Sequence, residues 1–182
     1  YRRHGLGTFV SKTTIERDHS RLTDFFENCR LGGHVPGARL LHKEQKDALP
    51  HIARALGLQP GEPVIRLATL RSVDGAPITY HDAYLPAYRF PDLLEAEPAT
   101  LGLDRQHVWQ LIEAQGYTVA NVVEKLEAQL AGKDVARLLK IKPGDPILYG
   151  QRVLYSDDGT PLKYADCYNR GDRFSLTVVL AR

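Results

Sequence analysis

The sequence contains no methionine, one tryptophan and two cysteines, and its charges nearly cancel. Lysine plus arginine number 24 against 22 aspartate plus glutamate, a net charge of +2 that calls for neither nucleic acid nor a membrane surface. No apolar run approaches the roughly 20 residues of a membrane-spanning helix, and no signal-peptide pattern opens the chain. Cys29 and Cys167 form no CxxC motif. We therefore expect a cytoplasmic protein with structural thiols.

Motifs of catalysis, cofactor binding and metal binding are also missing. Gly5-Leu6-Gly7 lacks the third glycine and the helix pattern of a dinucleotide-binding loop, and there is no GxSxG or P-loop. The seven histidines are scattered, and the closest pair, His34 and His42, has no ligand spacing. We expect no metal and no cofactor. The RGD tripeptide at 170–172 suggests adhesion only superficially, because three residues often match by chance.

What the sequence does contain is an internal repeat. The stretch QPGEPVIRL at 59–67 returns as KPGDPILYG at 142–150, and Pro60 and Pro143 lie 143 − 60 = 83 positions apart. Downstream, DGAPITYHD at 74–82 matches DGTPLKYAD at 158–166 with an offset of 84, so the second turn holds one additional residue. This duplication covers roughly thirty residues.

Each copy predicts a short helix, a Pro-Gly turn and a β-hairpin. Asp-Gly between two runs rich in Val, Ile, Leu and Tyr is a strong hairpin signal, because glycine adopts positive φ without steric cost. Two such units can pair their hairpins into one sheet, with the helices covering one face. The fold class is therefore α+β, with about six antiparallel strands built from two duplicated helix–hairpin units.

The flanking segments add further elements. RLTDFFENCRLGG predicts a helix that Asp24 caps, with Glu27 completing a capping box. GARLLHKEQ predicts an extra strand, and QHVWQLIEAQG an amphipathic helix that ends at Gly116. YTVANVVEKLEAQL begins with β-branched residues and ends with helix formers, so it predicts a strand that runs into the second helix. RFSLTVVLAR predicts a closing strand.

Strand periodicity places cationic side chains on one face. Ile65, Leu67, Thr69 and Arg71 share a face, as do Thr79, His81 and Ala83, and Lys163, Ala165 and Cys167 in the second copy. Buried cations must be paired, so an inward-facing set predicts an anionic partner, either a protein carboxylate or a ligand. The alternative is that Arg71 and Lys163 are solvated on an outer face. Trp109 is compatible with either a core position or a ligand platform.

The sequence resembles the UTRA domain, the ligand sensor of bacterial transcription regulators of the HutC branch of the GntR family. The resemblance covers residues about 19–182 and lies mainly in the paired PG-x-P…DG-x-P units and in NRGDRF. It implies a chorismate-lyase-like fold, a homodimer and a small-molecule effector whose binding is relayed to operator DNA.

The resemblance also implies a domain organisation. Residues 1–11, with GLGTFV, are similar to the wing strand of a winged helix-turn-helix domain, in which Arg2 and Arg3 would lie near DNA phosphates. Residues 12–20 would be a linker and residues 21–182 the effector-binding domain. The missing methionine and the start at Tyr1 favour a fragment of a longer regulator.

The resemblance implies a candidate effector site, position by position. An R-x-R pair of the sugar-phosphate-sensing members becomes Thr69 and Arg71 here, and a hydroxyl residue at the first helix becomes Thr23-Asp24. The remaining positions are His81 and Lys163 in place of acids, Asn169 in place of a tyrosine, and His107 and Trp109 near the central helix. These replacements make the cleft more cationic, apart from Asp24.

The prediction is therefore an effector-binding and dimerisation domain of a DNA-binding regulator, a repressor that senses a small anionic metabolite: an organic acid, a phosphonate or a sugar phosphate. One alternative is a chorismate-lyase-type enzyme that acts on a small aromatic acid, although the wing remnant and the absence of acids on the hairpin strands weaken it. The other is a dimerisation scaffold without a ligand. We expect no enzymatic activity.

Overall fold

The computed structural model describes residues 2–3, 7–8, 15–18, 25–96 and 112–177 of the chain. The strands are β1 Arg2–Arg3, β2 Gly7–Thr8, β3 Ile15–Asp18, β4 Pro36–Asp47, β5 Pro63–Val73, β6 Ala76–Pro86, β7 Val119–Leu130, β8 Pro146–Ser156, β9 Pro161–Arg170 and β10 Phe174–Thr177. The helices are α1 Phe25–Leu31, α2 Pro50–Leu56 and α3 Lys133–Leu139, with a 3-10 helix at Pro91–Leu93. Six strands form one antiparallel sheet in the order β4-β5-β6-β9-β8-β7.

That strand order is palindromic, because the sheet consists of two copies of one unit. The first copy is β4-α2-β5-β6 and the second is β7-α3-β8-β9. Their elements start at a constant offset: 119 − 36, 133 − 50 and 146 − 63 each equal 83. The predicted α+β fold with a six-stranded antiparallel sheet is confirmed, and the repeat is longer than the sequence likeness shows.

The Asp-Gly turns form the two predicted hairpins. Asp74 and Gly75 both have positive φ, 50° and 77°, as a two-residue type I′ turn requires. The second hairpin has the longer loop 157–160, in which Gly159 alone has positive φ. There the Asp158 carboxylate accepts hydrogen bonds from the Ser156 hydroxyl and the Thr160 backbone N–H, which hold the additional residue in place.

Helices α2 and α3 cover one face of the sheet, as predicted. Both helices end at a residue in the left-handed region, Gly57 after α2 and Lys140 after α3, which are 140 − 57 = 83 positions apart. Ile52 and Leu56 of α2 pack in one core cluster with Val64, and Leu139 of α3 packs in another with Ala68 and Ile147. Helix α2 contacts β9 of the second hairpin as well as β6, and α3 contacts β6 of the first hairpin, so each helix packs across the boundary between the two copies.

The opposite face is covered by the chain between the two copies. Phe90, Leu93 and Ile112 are buried there in a cluster that includes Leu67 and Ala165 of the sheet. Lys43 Nζ donates hydrogen bonds to the carbonyls of Leu94 and Ala96, which ties that segment to the outer strand β4. Helix α1 contributes a separate cluster in which Phe26 and Cys29 pack on Val73 and Ile78.

Two predicted elements differ from the structure. The stretch predicted as a strand running into a helix is one strand, β7, as far as Leu130, because pairing with β8 along its length overrides the helix preference of EKLEAQL. The closing strand β10 lies outside the main sheet and pairs in parallel with β3, within the segment predicted as a linker. Helix α1 is present, whereas its predicted cap Asp24 lies outside the described residues.

The RGD tripeptide, residues 170–172, makes structural hydrogen bonds at the end of β9. Arg170 donates to both carboxylate oxygens of Asp172 at 3.0 and 2.9 Å, and its Nη1 lies 3.4 Å from the carbonyls of Pro77 and of Leu139 in the last turn of α3. Gly171 N–H donates to the Pro146 carbonyl. The motif therefore joins the sheet to the C-terminus of α3.

Candidate functional site

The predicted effector-site residues that the structure describes lie on the sheet face opposite α2 and α3, called here the site face. Cross-strand register places them in rows: Arg71 pairs with Thr79 and Thr79 with Asn169, while Thr69 pairs with His81 and His81 with Cys167. The face that α2 and α3 cover is called here the helix face.

The first polar cluster on the site face consists of Thr69, Arg71, Thr79, His81 and Asn169. All except Arg71, which is half-buried, are buried, with exposed fractions of 3 to 6%. Thr79 donates to the Asn169 side-chain oxygen at 2.8 Å, and the Asn169 amide donates to the Leu148 carbonyl at 3.0 Å. Asn169 thereby links strands β6, β9 and β8, and it orients the Thr79 hydroxyl.

Arg71 connects this cluster to helix α1. Its guanidinium carbon lies 5.8 Å from the centre of the Phe26 ring, within the range of a cation–π interaction. Phe26 is itself buried on the sheet, and α1 contacts β3 and β4. The side chain predicted to bind an anion is therefore also a contact of the first helix.

A second polar cluster, which sequence reasoning missed in part, consists of Glu124, Arg152 and Lys163. Arg152 Nη2 donates to Glu124 Oε2 at 2.7 Å, and the two side chains are only 19% and 7% exposed. Arg152 pairs with Ala165, so Lys163 is its diagonal neighbour on the same face, about 7–8 Å away. Lys163 thus lies with Arg152 and apart from Arg71 and His81.

Small side chains separate the two clusters. Ala83, Ala165, Cys167 and Gly150 lie between them on strands β6, β9 and β8. A Cβ added at Gly150 would lie 3.2 Å from Glu124 Oε1, so the Glu124 carboxylate leans over this glycine. The middle of the site face therefore consists of small side chains, of which Ala83, Ala165 and Cys167 are buried in the cluster with Phe90, Leu93 and Ile112.

Other predicted site residues are not placed by the structure. Thr23, Asp24, His107 and Trp109 lie outside the described residues, and their roles stay predictions. Arg2 and Arg3 form β1, which pairs antiparallel with β2, and their contact with DNA stays a prediction. Among the described side chains, no three His, Cys, Asp or Glu lie together as a metal site. No helix in the described part of the chain is long and apolar enough to cross a membrane.

The helix face carries a different, symmetric network. Tyr80, Asp82 and Tyr84 of the first copy correspond to Tyr164, Asp166 and Tyr168 of the second, and Asp82 pairs directly with Asp166. Arg66 holds Asp82 through two hydrogen bonds, at 2.8 and 2.9 Å.

Asp166 is held differently. It accepts hydrogen bonds from the hydroxyls of Tyr149 and Tyr164, at 2.5 and 2.7 Å. Burial, and then the Asp166 charge, raise the pKa of Tyr168 to about 12. These groups stabilise the sheet and are committed to one another.

The two faces differ in how far the copies have diverged. In TYHDAY at 79–84 and KYADCY at 163–168, the helix-face residues Tyr-Asp-Tyr are the same in both copies. The site-face residues Thr79, His81 and Ala83 correspond to Lys163, Ala165 and Cys167, and none is the same. The helix face thus serves the shared fold, whereas the site face carries the chemistry that is particular to each half.

A separate surface cavity of about 520 Å³ lies beside the C-terminus of α3. Its lining includes Lys140, Lys142 and Arg170, but Arg170 is engaged with Asp172, and the Asp145 carboxylate accepts from the Lys142 backbone N–H. Buried, convergent polar groups are the mark of a ligand site. The site face has them and this cavity does not.

The geometry therefore defines a class: a duplicated antiparallel sheet domain with two helices on one face and buried polar side chains on the other. The UTRA domain family model matches residues 32–175. The chain is 27% identical over its whole length to the transcriptional repressor NagR of Bacillus subtilis, covering 73% of that protein. It is 32% identical over 176 residues to the uncharacterised transcriptional regulator RB1450 of Rhizobium meliloti, covering 96% of this chain and 70% of that one.

Solved structures agree on the fold. The crystal structure of PhnF from Mycobacterium smegmatis superposes with a TM-score of 0.86 at 24% identity, over 99% of this chain and 77% of that one. The ligand-binding domain of a GntR-family regulator from Bordetella bronchiseptica gives 0.72 at 28% identity, over 80% of this chain and 92% of that one. The chain belongs to the UTRA domain family of GntR-type transcription regulators, whose members here are regulators and not enzymes.

Proposed function

We propose that this domain senses a small anionic metabolite (an organic acid, a phosphonate or a sugar phosphate) and relays its binding to the DNA-binding domains of a dimeric cytoplasmic repressor. The main observation in support of this proposal is the first polar cluster of the site face. It brings the Arg71 guanidinium together with the buried polar side chains of Thr79, His81 and Asn169 on the face where the two copies differ. A guanidinium beside buried polar groups suits a carboxylate or phosphate group.

The proposed route from the bound effector to the DNA-binding domains begins with the contacts of Arg71. A ligand that draws the guanidinium inward changes its contact with Phe26, and α1 carries that change towards β3 and the residues before it. Binding can shift an equilibrium only if it favours one arrangement over the other, so this contact must differ between the two states. In this proposal residues 1–11 belong to the wing, 12–20 to the linker and 21–182 to the effector domain. The role of repressor is supported by two relatives, NagR and PhnF, which are named as repressors.

The test is a thermal-shift screen of the chain against carboxylates, phosphonates and sugar phosphates. A ligand at 100 times its Kd adds about 2.7 kcal/mol to the free energy of unfolding. For a chain of this size that raises Tm by roughly 5–11 °C. Arg71→Gln is expected to abolish the shift.

The matched control is Arg137→Gln on α3, whose side chain is 78% exposed and pairs with Asp134 on the surface. This variant should retain the full shift. A shift that persists in Arg71→Gln, or no shift with any anion in the panel, would refute the proposed site and favour the scaffold without a ligand.

A second arm tests the relay in the full-length regulator. Phe26→Leu keeps an apolar side chain in the α1 cluster but removes the aromatic face under Arg71. We expect effector binding to persist while its effect on operator binding, measured by fluorescence anisotropy, weakens. If the effector changes the operator affinity of this variant as much as it changes that of the parent, the role given to α1 is contradicted.

A further inference from the structure

We infer that the outer edge of strand β7 is the surface through which two molecules of this chain associate. Strand β7 of one molecule pairs antiparallel with β7 of the other, and the pairing is centred on Leu126. This inference rests on the proposed function only in that the regulator proposed there is a dimer.

The open edge of β7 is the first argument. Strand β7 is the last strand of the six-stranded sheet, and none of the described strands pairs with its outer side. It is 12 residues long, contains neither proline nor glycine, and exposes 58% of Val123 and 72% of Leu130. Unpaired N–H and C=O groups along such an edge are a template for a strand of another molecule.

The opposite edge of the sheet, strand β4, is protected by comparison. Strand β4 begins with Pro36 and has a bulge at Leu41, in the middle of its length. The bulge of β7 lies at Ala120, so the strand is regular from there to Leu130. At the offset of 83, β7 has uncharged residues where β4 has charged ones: Leu126, Gln129 and Leu130 in place of Lys43, Lys46 and Asp47. Proline, bulges and charges are the usual protection of an edge strand, and β7 has little of it.

The charges of β7 select the partner and the register. Lys125 and Glu127 lie on the helix face with their charged groups 2.5 Å apart, and their side chains are 66% and 40% exposed. When two β7 strands pair around Leu126, Lys125 of each molecule lies opposite Glu127 of the other, which gives two ion pairs. Centring the pair on Lys125 or on Glu127 would instead place like charges directly opposite each other, which is destabilising. The strand is therefore complementary to itself in one register.

This pairing joins the two sheets into one and leaves the candidate effector site untouched. Directly opposite residues point to the same side of a sheet, so the helix faces of both molecules lie on one side. The first polar cluster is on β5, β6 and β9, which are separated from β7 by at least one strand. Association and effector binding can therefore be measured independently.

The first experiment measures the dimer Kd of the chain by sedimentation equilibrium. We expect a reversible dimer. Lys125→Glu replaces two attractive pairs by two repulsive ones and should raise the dimer Kd by about tenfold or more, and Glu127→Lys should do the same. The double variant Lys125→Glu/Glu127→Lys restores opposite charges at both positions, so its Kd should return to that of the parent.

Arg137→Glu is the matched control. Arg137 forms an exposed ion pair with Asp134 on α3, so this variant makes the same change of charge and also removes an ion pair within the molecule. It should leave the dimer Kd unchanged. An equal effect of Arg137→Glu and Lys125→Glu would refute the interface, because net charge alone would then explain the result.

Cross-linking tests the register. Leu126→Cys places two thiols opposite each other, about 5 Å apart, so an ethane-linked bismaleimide should join the molecules into a covalent dimer. In Ala128→Cys the two thiols would be four residues, or about 14 Å, apart and should not be joined. The native Cys29 and Cys167 are buried, and the parent chain shows any background from them.

The outcomes separate this interface from the proposed sensor. A chain that stays monomeric, a dimer Kd that Lys125→Glu does not change, or a double variant that fails to recover refutes the interface. Cross-linking of Ala128→Cys in preference to Leu126→Cys refutes the register. Anion binding that depends on Arg71 in a chain without the β7 dimer would leave the sensor intact, whereas a β7 dimer that binds no anion would overturn the sensor and leave the interface.

Discussion

Gly171 offers the sharpest test of the structure, because its environment leaves no room for a side chain. A Cβ at this position would lie 2.7 Å from the Pro146 carbonyl oxygen and 3.2 Å from its carbon. Real Cβ atoms essentially never approach so closely. The obstructing atoms belong to the backbone of β8, and Gly171 N–H donates to that same carbonyl, so the strand end must shift in Gly171→Ala.

Overpacking of this kind costs about 1–3 kcal/mol. In a chain of this size that lowers Tm by roughly 2–12 °C. The loss should be seen equally in chemical denaturation, as a lower midpoint with an unchanged slope.

Gly37→Ala is the matched control. Its Cβ would lie 2.8 Å from an obstructing atom as well, but that atom is the Ser72 hydroxyl oxygen, which can rotate away. Neither glycine has positive φ, so backbone strain does not separate the two variants. We expect Gly37→Ala to be neutral or slightly stabilising, since alanine is better than glycine within a strand. Gly171→Ala no more destabilising than Gly37→Ala would refute the placement of the RGD segment against β8.

Three further predictions concern stability and pH. Lys140→Gly should raise the free energy of unfolding, measured by urea denaturation, by about 0.5–1 kcal/mol, because Lys140 holds φ 54° as the C-cap of α3. Gly57→Ala at the equivalent cap of α2 should lower that free energy by a similar amount. The Ser156 hydroxyl, followed by the Thr160 N–H, lowers the pKa of Asp158 to about 2 from 3.8. Because the pKa of Asp158 is lower in the folded than in the unfolded state, this stabilisation is present above pH 4 and is lost as pH falls towards 2. The destabilisation caused by Asp158→Asn should therefore vanish at pH 2, as measured in acid titrations followed by circular dichroism. Burial and the Asp166 charge raise the pKa values of Tyr149, Tyr164 and Tyr168. Absorbance at 295 nm should therefore show these tyrosines ionising only as the protein unfolds above pH 12. Ionisation of all nine tyrosines of the chain near pH 10 would contradict the network.

The fold was predictable where local sequence decides structure. The Asp-Gly turns and the alternation of the hairpin strands gave the hairpins, and the likeness of their sequences gave the duplication. Strand β7 was only partly predicted, because the helix preference of its second half is local, whereas its pairing with β8 is not. For the same reason the full repeat was missed, since PGARLLHKEQKD and VANVVEKLEAQL correspond in position without resembling each other.

The candidate site shows the same limit. The two-residue period of a strand sufficed to place Thr69 and Arg71 on one face, and to place His81 on the face that carries Thr79. It could not show that Lys163 lies at the other end of that face, because this depends on the register between β6 and β9. Glu124 and Arg152 needed the pairing of β7 with β8 as well. One signal was available: Arg152 occupies the position of Thr69 in the second copy.

The symmetry of the sheet explains why one face could diverge while the other did not. The axis between the copies places Asp82 directly opposite Asp166, and like charges in that position destabilise a sheet. Each carboxylate therefore needs donors of its own: Arg66 with Tyr80 and Tyr84 in the first copy, and Tyr149 with Tyr164 in the second. A change to any of these groups would leave a buried carboxylate short of a donor. No such mutual dependence joins His81 to Ala165, so the site face is where the two halves can acquire different chemistry at little cost to the fold.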